Sequence, residues 1–226
     1  TRADKAKGCF MKGKFIVFEG IDGSGKTTQL KLLGEKLTAL GCPVLYTREP
    51  GGTRVGELVR ELLLNPQHGE LVPRAEALLY AAARAQHVEQ IILPALKKGT
   101  VVLCDRFLDS SLAYQGFGRG LDLSLLEQIN RVATAGLVPD QVLLLDFCCD
   151  YGVDRISRSG RSADRIERED REFHRRVRAG YLALAARDPR RYRVIDANRS
   201  IARVHCDLIK AVEGVLDALS TGNNRP

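Results

Sequence analysis

The sequence predicts an α/β fold in which helices cover both faces of a five-stranded parallel sheet. Short apolar runs alternate with longer segments of helical spacing, and 226 residues with 44% hydrophobic content can bury one substantial core. Turn signals bound the apolar runs, as expected of buried parallel strands. The predicted strands are Phe15–Phe18, Val44–Tyr46, Val101–Cys104, Val142–Leu145 and Tyr192–Ile195. The predicted helices are Thr27–Leu40, Val55–Leu64, Ala75–Leu96, Leu123–Ala135, Ile166–Ala186 and Ile201–Leu219.

The ends of the chain predict little structure of their own. We expect a flexible N-terminal extension over residues 1–12, a single domain over 13–219 and a flexible tail over 220–226. No apolar stretch approaches the roughly 20 residues needed to span a bilayer, and the basic start lacks the apolar core of a secretory signal. The sequence therefore predicts a cytoplasmic protein without a membrane partner. Six scattered cysteines indicate reduced thiols rather than disulfides or a zinc site.

The first predicted strand runs directly into a phosphate-loop (P-loop) pattern, G-x-x-x-x-G-K-[ST], and a predicted helix follows it. Glycines allow the backbone to turn its N–H groups inward, and the following helix presents its positive end. Lys26 can reach the terminal phosphates of ATP, and the Thr27 hydroxyl can ligate Mg²⁺. The pattern predicts a P-loop NTPase fold rather than a plain glycine-rich turn. The predicted ATP-binding residues are Gly20, Ile21, Asp22, Gly23, Ser24, Gly25, Lys26, Thr27 and Thr28.

Charged residues follow the second and third predicted strands, in the segments TREPGG at 47–52 and DRF at 105–107. The carboxyl ends of parallel strands meet at one edge of a sheet, where ligands of such folds bind. Asp105 is therefore a predicted Mg²⁺ ligand. Arg48 and Arg106 are predicted to bind phosphate, although guanidinium groups suit buried ion pairs equally well.

A segment rich in Gly, Ser and Arg lies between the fourth and fifth predicted strands and interrupts the helical pattern. We expect a mobile lid at about residues 150–166. Arginines on a closing lid would exclude water and stabilise the charge that develops during phosphoryl transfer. A surface loop with dispersed charges is the alternative. The arginines concerned are Arg155, Arg158, Arg161 and Arg165.

Six segments carry a pattern that extends from Lys14 to Leu219: EGIDGSGKTTQ at 19–29, TREPGGT at 47–53, LLYAAARAQH at 78–87, DRFLDSSLAYQG at 105–116, DRIERE at 164–169 and VIDANRSI at 194–201. Together these segments resemble the thymidylate kinase family of the bacterial type. The resemblance implies transfer of the ATP γ-phosphate to thymidine 5′-monophosphate (dTMP) in dTTP synthesis, with Mg²⁺, by a homodimer.

The resemblance also implies roles for individual residues. Arg48 and Arg106 would bind the acceptor phosphate, and Asp22 would lie near the sugar 3′-hydroxyl. Tyr80 would stack on the base while Arg84, four residues along the same helical face, donates to a base carbonyl. From the residues alone, Tyr80 would be a core aromatic. The remaining implied residues are Ser111 and Gln115 at the pyrimidine edge, Tyr114 against a 2′-hydroxyl, and Lys26, Arg106, Arg158, Arg155 and Arg161 in catalysis, with Arg158 the leading lid candidate.

Two further classes of function fit parts of the sequence. Another nucleoside monophosphate or deoxynucleoside kinase would share the P-loop, the DR pair and the lid but differ in the acceptor pocket. A nucleotide-gated interaction module or a partitioning-type ATPase would need no second anion site, and Arg48 and Arg106 argue against this class. The net charge of +7 suits nucleic acid, but a small polyanion accounts for it equally well, and we expect no nucleic-acid partner.

Overall fold

A computed structural model describes residues 13–148 and 162–220, with side chains up to residue 215. Five parallel strands form a single sheet in the order β2-β3-β1-β4-β5. The predicted extension 1–12, residues 150–161 of the predicted lid and tail residues 221–226 lie outside the described residues. The strands are β1 (Phe15–Glu19), β2 (Val44–Arg48), β3 (Val101–Asp105), β4 (Gln141–Asp146) and β5 (Tyr192–Asp196).

Helices connect and cover these strands. Two segments have π-helical hydrogen bonding, Val88–Ile92 and Leu112–Gly118, and each continues a preceding α-helix. The α-helices are α1 (Lys26–Ala39), α2 (Arg54–Leu64), α3 (Pro73–His87), α4 (Leu93–Lys97), α5 (Leu108–Ser111), α6 (Leu123–Ala133), α7 (Arg171–Arg187) and α8 (Ile201–Ser220). No helix in the described part of the chain combines the length and the apolarity needed to cross a bilayer.

The predicted α/β class and all five strands are confirmed, and two helix predictions need correction. The segment predicted as one helix, Ala75–Leu96, contains a π-helical turn between α3 and α4. The helix predicted to start at Ile166 starts at Arg171, because the Asp170 side chain caps it by accepting from the Phe173 N–H. Helix α5 and the π-helical segment after it were not predicted, since their residues show no helical period.

The core lies on both faces of the sheet, with β1 at its centre. Every residue of β1 is buried, and its side chains alternate between a large cluster on one face and a smaller cluster on the other. The in-register pairs Phe18–Asp105 and Arg48–Asp105 bring the carboxyl ends of β1, β2 and β3 side by side. The charged residues predicted at these strand ends therefore meet at one edge.

Candidate active site

The loop between β1 and α1 has the conformation that a phosphate-binding loop requires. Gly20 has a φ of 139°, and a Cβ there would lie 2.5 Å from the carbonyl oxygen of Leu145 in β4. The following helix, α1, starts at Lys26 without a side-chain cap, whereas side chains cap the first turns of α2, α6 and α7. The N–H groups of its first turn are therefore available to an anion.

Lys26 folds back over this loop. Its Nζ donates to the carbonyl oxygens of Gly20 at 3.0 Å and Ile21 at 2.9 Å. Burial, and then the positive charge of Arg106, lower the pKa of Lys26. An anion in the loop would offset both effects, because its negative charge favours the protonated amine.

A hydroxyl and a carboxylate next to the loop form the candidate metal site. Thr27, in the first turn of α1, donates through Oγ1 to Asp105 Oδ2 at the end of β3, at 3.0 Å. Both groups are oxygen ligands of the kind that Mg²⁺ takes. Residues 13–148 and 162–220 contain no group of three or more His, Cys, Asp or Glu side chains placed to hold a metal ion. Two oxygen ligands from the protein suit an ion such as Mg²⁺, which keeps waters and substrate oxygens as its other ligands.

Arg106 lies beside the loop in a left-handed backbone conformation, with a φ of 71°. Its Nη2 donates to Asp22 Oδ1 at 2.7 Å and to the Tyr114 hydroxyl at 3.0 Å. The Tyr114 hydroxyl in turn donates to Asp22 Oδ2 at 3.0 Å. Burial alone would raise the pKa of Asp22, but Arg106 and Lys26 hold it well below its usual range. The Asp22 carboxylate is therefore ionised at neutral pH and available as an acceptor.

Arg48 occupies a more open position at the end of β2. Its Nη2 contacts both carboxylate oxygens of Glu57 in α2, at 3.0 and 3.1 Å. Glu57 also accepts from the Gly52 N–H at 3.0 Å, so the pair ties β2 to the TREPGG segment. The Arg48 side chain is 55% exposed, which leaves its other N–H groups accessible.

Two cavities meet at Asp22 and Arg106. The larger, of about 540 Å³, is lined by the loop residues Asp22 to Thr28 together with Arg48 and Asp105. The smaller, of about 80 Å³, contains all the other predicted substrate-binding residues. The residues that line both cavities are Asp22, Glu49, Arg60, Arg106 and Asp164.

In the smaller cavity Arg84 is held by buried partners. Its Nε donates to Glu49 Oε2 at 2.8 Å, its Nη1 to Asn130 Oδ1 at 2.6 Å and its Nη2 to the Phe107 carbonyl at 3.2 Å. Arg84 is only 1% exposed. Three of its five N–H groups are thus committed to the protein, and the guanidinium has a fixed position at the cavity wall. Tyr80, one helical turn before it on α3, lines the same wall.

Ser111 and Gln115 present acceptors to the smaller cavity. The buried Ser111 hydroxyl has no hydrogen-bond partner among the described residues. Gln115 donates through Nε2 to Glu76 Oε1 at 2.9 Å, which fixes its amide orientation because a carboxylate oxygen accepts and does not donate. A buried hydroxyl without a partner is costly unless a ligand supplies one.

The structure describes one arginine of the predicted lid, Arg165. Its Nη2 donates to the buried Glu76 at 2.6 Å and its Nε to the Leu63 carbonyl at 2.8 Å. Arg165 therefore anchors the chain to α2 and α3. The other predicted lid arginines, Arg155, Arg158 and Arg161, lie outside the described residues, so their catalytic role stays a prediction.

Sequence reasoning missed three buried carboxylates behind the site, Glu19, Glu49 and Glu76. Each is at most 5% exposed, and each pairs with or supports a predicted ligand-binding residue. Two signals were available. Glu19 is a charged residue that ends an otherwise apolar strand, and Glu76 precedes Tyr80 and Arg84 at intervals of four residues on one helix face.

A P-loop that opens into a second cavity with its own arginines defines a P-loop phosphotransferase with separate donor and acceptor sites. The family profile described as thymidylate kinase matches residues 18–208. The chain belongs to the thymidylate kinase family.

Individual relatives agree with this assignment. The chain is 74% identical to the thymidylate kinase of Pelotomaculum thermopropionicum over 95% of its own length and 100% of the relative's. It is 52% identical to that of Caldanaerobacter subterraneus subsp. tengcongensis, over 91% and 98% of the two chains. The crystal structure of thymidylate kinase from Ehrlichia chaffeensis superposes with a TM-score of 0.73 at 38% identity, over 89% of this chain and 99% of that one.

The predicted activity is confirmed. The enzyme transfers the γ-phosphate of ATP to dTMP, giving dTDP and ADP, in the synthesis of dTTP.

Proposed function

We propose that ATP occupies the larger cavity and dTMP the smaller one, and that the phosphoryl group passes between them beside Asp22 and Arg106. The observation that carries this assignment is the junction itself, because Asp22 and Arg106 line both cavities. The larger cavity contains the P-loop and the uncapped start of α1, which suit the phosphates of ATP. The smaller contains an aromatic ring and fixed hydrogen-bonding groups, which suit a base.

The donor side uses backbone N–H groups and Lys26. The Lys26 amine lies 3.0 Å or less from the Gly20 and Ile21 carbonyl oxygens, and a phosphate in the loop would take over its N–H groups. Thr27 and Asp105 would hold Mg²⁺, since their oxygens already lie next to each other. The ion would supply positive charge against the phosphate oxygens of ATP.

The acceptor phosphate would bind between Arg48 and Arg106. Both arginines line the larger cavity, and Arg106 also lines the smaller one. The attacking atom of dTMP is already an anionic phosphate oxygen, so no side chain has to remove a proton from it. Catalysis then consists of aligning two polyanions and neutralising their repulsion, which Lys26, Arg48 and Arg106 do with fixed positive charge.

The smaller cavity would read the thymine base through groups that are fixed before binding. Tyr80 provides a ring face for stacking. Because the Gln115 amide donates to Glu76, its carbonyl oxygen is left to accept the N3–H of thymine. Cytosine has an acceptor at that position, so the same carbonyl would repel it. The unpartnered Ser111 hydroxyl and the remaining N–H groups of Arg84 complete the base site.

The sugar would lie beside Asp22 and Tyr114. The ionised Asp22 carboxylate can accept from the 3′-hydroxyl. The Tyr114 hydroxyl is held against Asp22 at 3.0 Å and would occupy the space that a 2′-hydroxyl needs. This arrangement favours deoxyribose.

We also propose that the enzyme is a homodimer. Helix α3 packs between α2 and α6, and all three carry exposed apolar side chains. Leu58 on α2 is 55% exposed, Leu78 on α3 51% and Val132 on α6 83%. Exposed apolar side chains on three neighbouring helices suit a surface that a second copy covers.

The substrate assignment predicts that Arg106→Ala and Lys26→Ala affect different ligands. Arg106→Ala should raise the KM for dTMP by about tenfold or more, because a charge-assisted hydrogen bond to the acceptor phosphate is lost. It should leave the inhibition constant of thymidine, which lacks the phosphate, nearly unchanged. Lys26→Ala should lower kcat with MgATP and leave dTMP binding intact. Coupled assays of ADP release measure both.

Circular dichroism and thermal unfolding serve as the controls for folding. Full activity in a folded Arg106→Ala or Lys26→Ala variant would contradict the assignment.

A further inference from the structure

Glu19 is a buried carboxylate that the reaction as described above does not use. It ends β1 directly before the P-loop, is 0% exposed and lines neither of the two cavities. Its Oε1 accepts from the backbone N–H groups of Phe107 at 2.9 Å and Ser110 at 3.2 Å. Glu19 therefore holds the segment that directly follows Arg106, between β3 and α5.

The second oxygen of Glu19 connects to Arg106 through two hydroxyls. Ser110 Oγ donates to Glu19 Oε2 at 2.6 Å, and the Tyr181 hydroxyl donates to the same oxygen at 2.8 Å. Both hydroxyl oxygens accept from Arg106 Nη1, at 3.2 and 3.1 Å. The two hydroxyls also lie 2.8 Å from each other. A hydroxyl that gives its single hydrogen to Glu19 has its oxygen oriented to receive the arginine N–H.

The two terminal nitrogens of Arg106 thus have different environments. Nη1 faces the Ser110 and Tyr181 hydroxyls that contact Glu19, and Nη2 faces Asp22 and Tyr114. A guanidinium is planar, so fixing Nη1 fixes the direction of the whole group. The backbone of Arg106 adds to the need for support, because its φ of 71° is unfavourable for a residue with a Cβ.

We propose that Glu19 is a positioning residue for the acceptor phosphate: acting through Ser110 and Tyr181, it fixes the Arg106 guanidinium in the orientation that binds dTMP. The inference rests on the proposed role of Arg106 as a phosphate ligand. Glu19 itself does not contact the substrate. Preorganisation of this kind lowers the cost of ordering a long side chain when the ligand binds.

The most conservative test removes one bridging hydroxyl. Tyr181→Phe keeps the buried ring, which packs edge-to-face on Tyr114 with centroids 6.2 Å apart, and deletes only the oxygen between Glu19 and Arg106. We expect the KM for dTMP to rise about tenfold. The KM for ATP and the inhibition constant of thymidine should change less than about twofold, because neither ligand carries the acceptor phosphate that Arg106 is proposed to bind.

Tyr192→Phe is the matched control. Tyr192 is also a buried tyrosine, and no hydrogen bond of the described residues joins its hydroxyl to Glu19, Ser110 or Arg106. It should leave all three constants unchanged. Glu19→Gln provides a second, independent variant, since it keeps the shape of the side chain and replaces one accepting oxygen by an NH2 group that can only donate. It should reproduce the selective loss of dTMP binding.

Arg106→Ala in the same assay distinguishes failure of the Glu19 positioning role from failure of the Arg106 phosphate-binding role. If Arg106→Ala weakens dTMP binding but folded Tyr181→Phe and Glu19→Gln variants do not, the positioning role of Glu19 is overturned and the phosphate role of Arg106 stands. A parallel loss of dTMP and thymidine binding in these variants would also overturn it, because that result indicates general damage to the acceptor site. If Arg106→Ala leaves dTMP binding unchanged, both assignments fall.

Discussion

Three consecutive residues at the end of β3 face three different environments. Asp105 contacts Thr27 at the candidate metal site, Arg106 points to the junction of the cavities, and Phe107 is completely buried in the core. The left-handed conformation of Arg106 makes this possible, because an extended backbone would place successive side chains on opposite faces of the sheet only. The buried Phe107 ring and the hydrogen bond from the Arg106 N–H to the Phe18 carbonyl, at 2.9 Å, keep the turn in place.

The position of Glu19 also has a consequence for stability. Burial, and then the nearby carboxylate of Asp109, raise the pKa of Glu19 from 4.5 to about 7, although Arg106, Ser110 and the Phe107 N–H act against this. The folded chain therefore holds this proton more tightly than the unfolded chain does. The stability that the protonated group contributes is fully present below pH 4.5 and is lost as the pH rises through about 7.

Glu19→Gln should remove this pH dependence, because an amide does not titrate. Relative to the parent, the variant should gain about 2 kcal/mol of unfolding free energy between about pH 5 and about pH 7.5. Urea unfolding at several pH values measures the difference. The exposed Glu61→Gln on α2 is the matched control and should follow the parent. Parallel profiles for Glu19→Gln and the parent would show that Glu19 titrates normally.

At the scale of elements, helix α3 contributes to both the acceptor site and the proposed dimer surface. Glu76, Tyr80 and Arg84 lie four residues apart and face the acceptor side, while Leu78 points away from it and is 51% exposed. The helix begins with Pro73 at its first position, which suits a helix start. Pairing of this helix with a second copy would support two acceptor sites from one interface.

The sequence predicts the elements whose signal lies in neighbouring residues, and it does not predict contacts between residues that are distant along the chain. The five strands and the P-loop were predictable because their signals are local: four strands are continuous apolar runs, β5 is an apolar run interrupted by Arg193, and the P-loop has a fixed spacing. The π-helical segment Leu112–Gly118 has no such period, although it carries Tyr114 and Gln115. The partners of Arg84 could not be predicted either, because Glu49 and Asn130 are 35 and 46 residues away and meet it only in the folded chain.

The proposed dimer surface predicts that a charge on α3 separates the subunits. Leu78→Glu should convert a dimer into monomers, since two carboxylates would be buried in a symmetric apolar interface. Sedimentation velocity or light scattering gives the mass. Leu40→Glu is the matched control, because Leu40 follows α1 and is 62% exposed away from these helices. A parent chain that is monomeric at micromolar concentration, or a dimeric Leu78→Glu variant, would contradict the proposal.

At the scale of the whole molecule, the net charge of +7 acts on two substrates that are both polyanions. Most arginines that line the cavities are paired with carboxylates, as Arg48 is with Glu57 and Arg106 with Asp22, whereas Arg60 donates to the Pro50 carbonyl. The local site is therefore closer to neutral than the chain as a whole. The excess positive charge would then act over longer distances, by attracting ATP and dTMP toward the open edge of the sheet.

Long-range attraction of the substrates predicts a salt dependence, which distinguishes small polyanions from nucleic acid as the ligands that the positive charge serves. Raising the ionic strength from about 0.01 M to about 0.15 M shortens the Debye length from about 30 Å to about 8 Å, so kcat/KM for dTMP should fall several-fold. The inhibition constant of thymidine, which carries no charge, should stay constant over the same range. If the charge served nucleic acid instead, duplex DNA would bind with a steep salt dependence, and Lys26→Ala would not affect that binding. The negative charge of ATP and dTMP already complements the positive charge of the enzyme. We therefore expect kcat/KM for dTMP to fall as salt is added, and we expect fluorescence anisotropy to detect no DNA complex at the higher ionic strength.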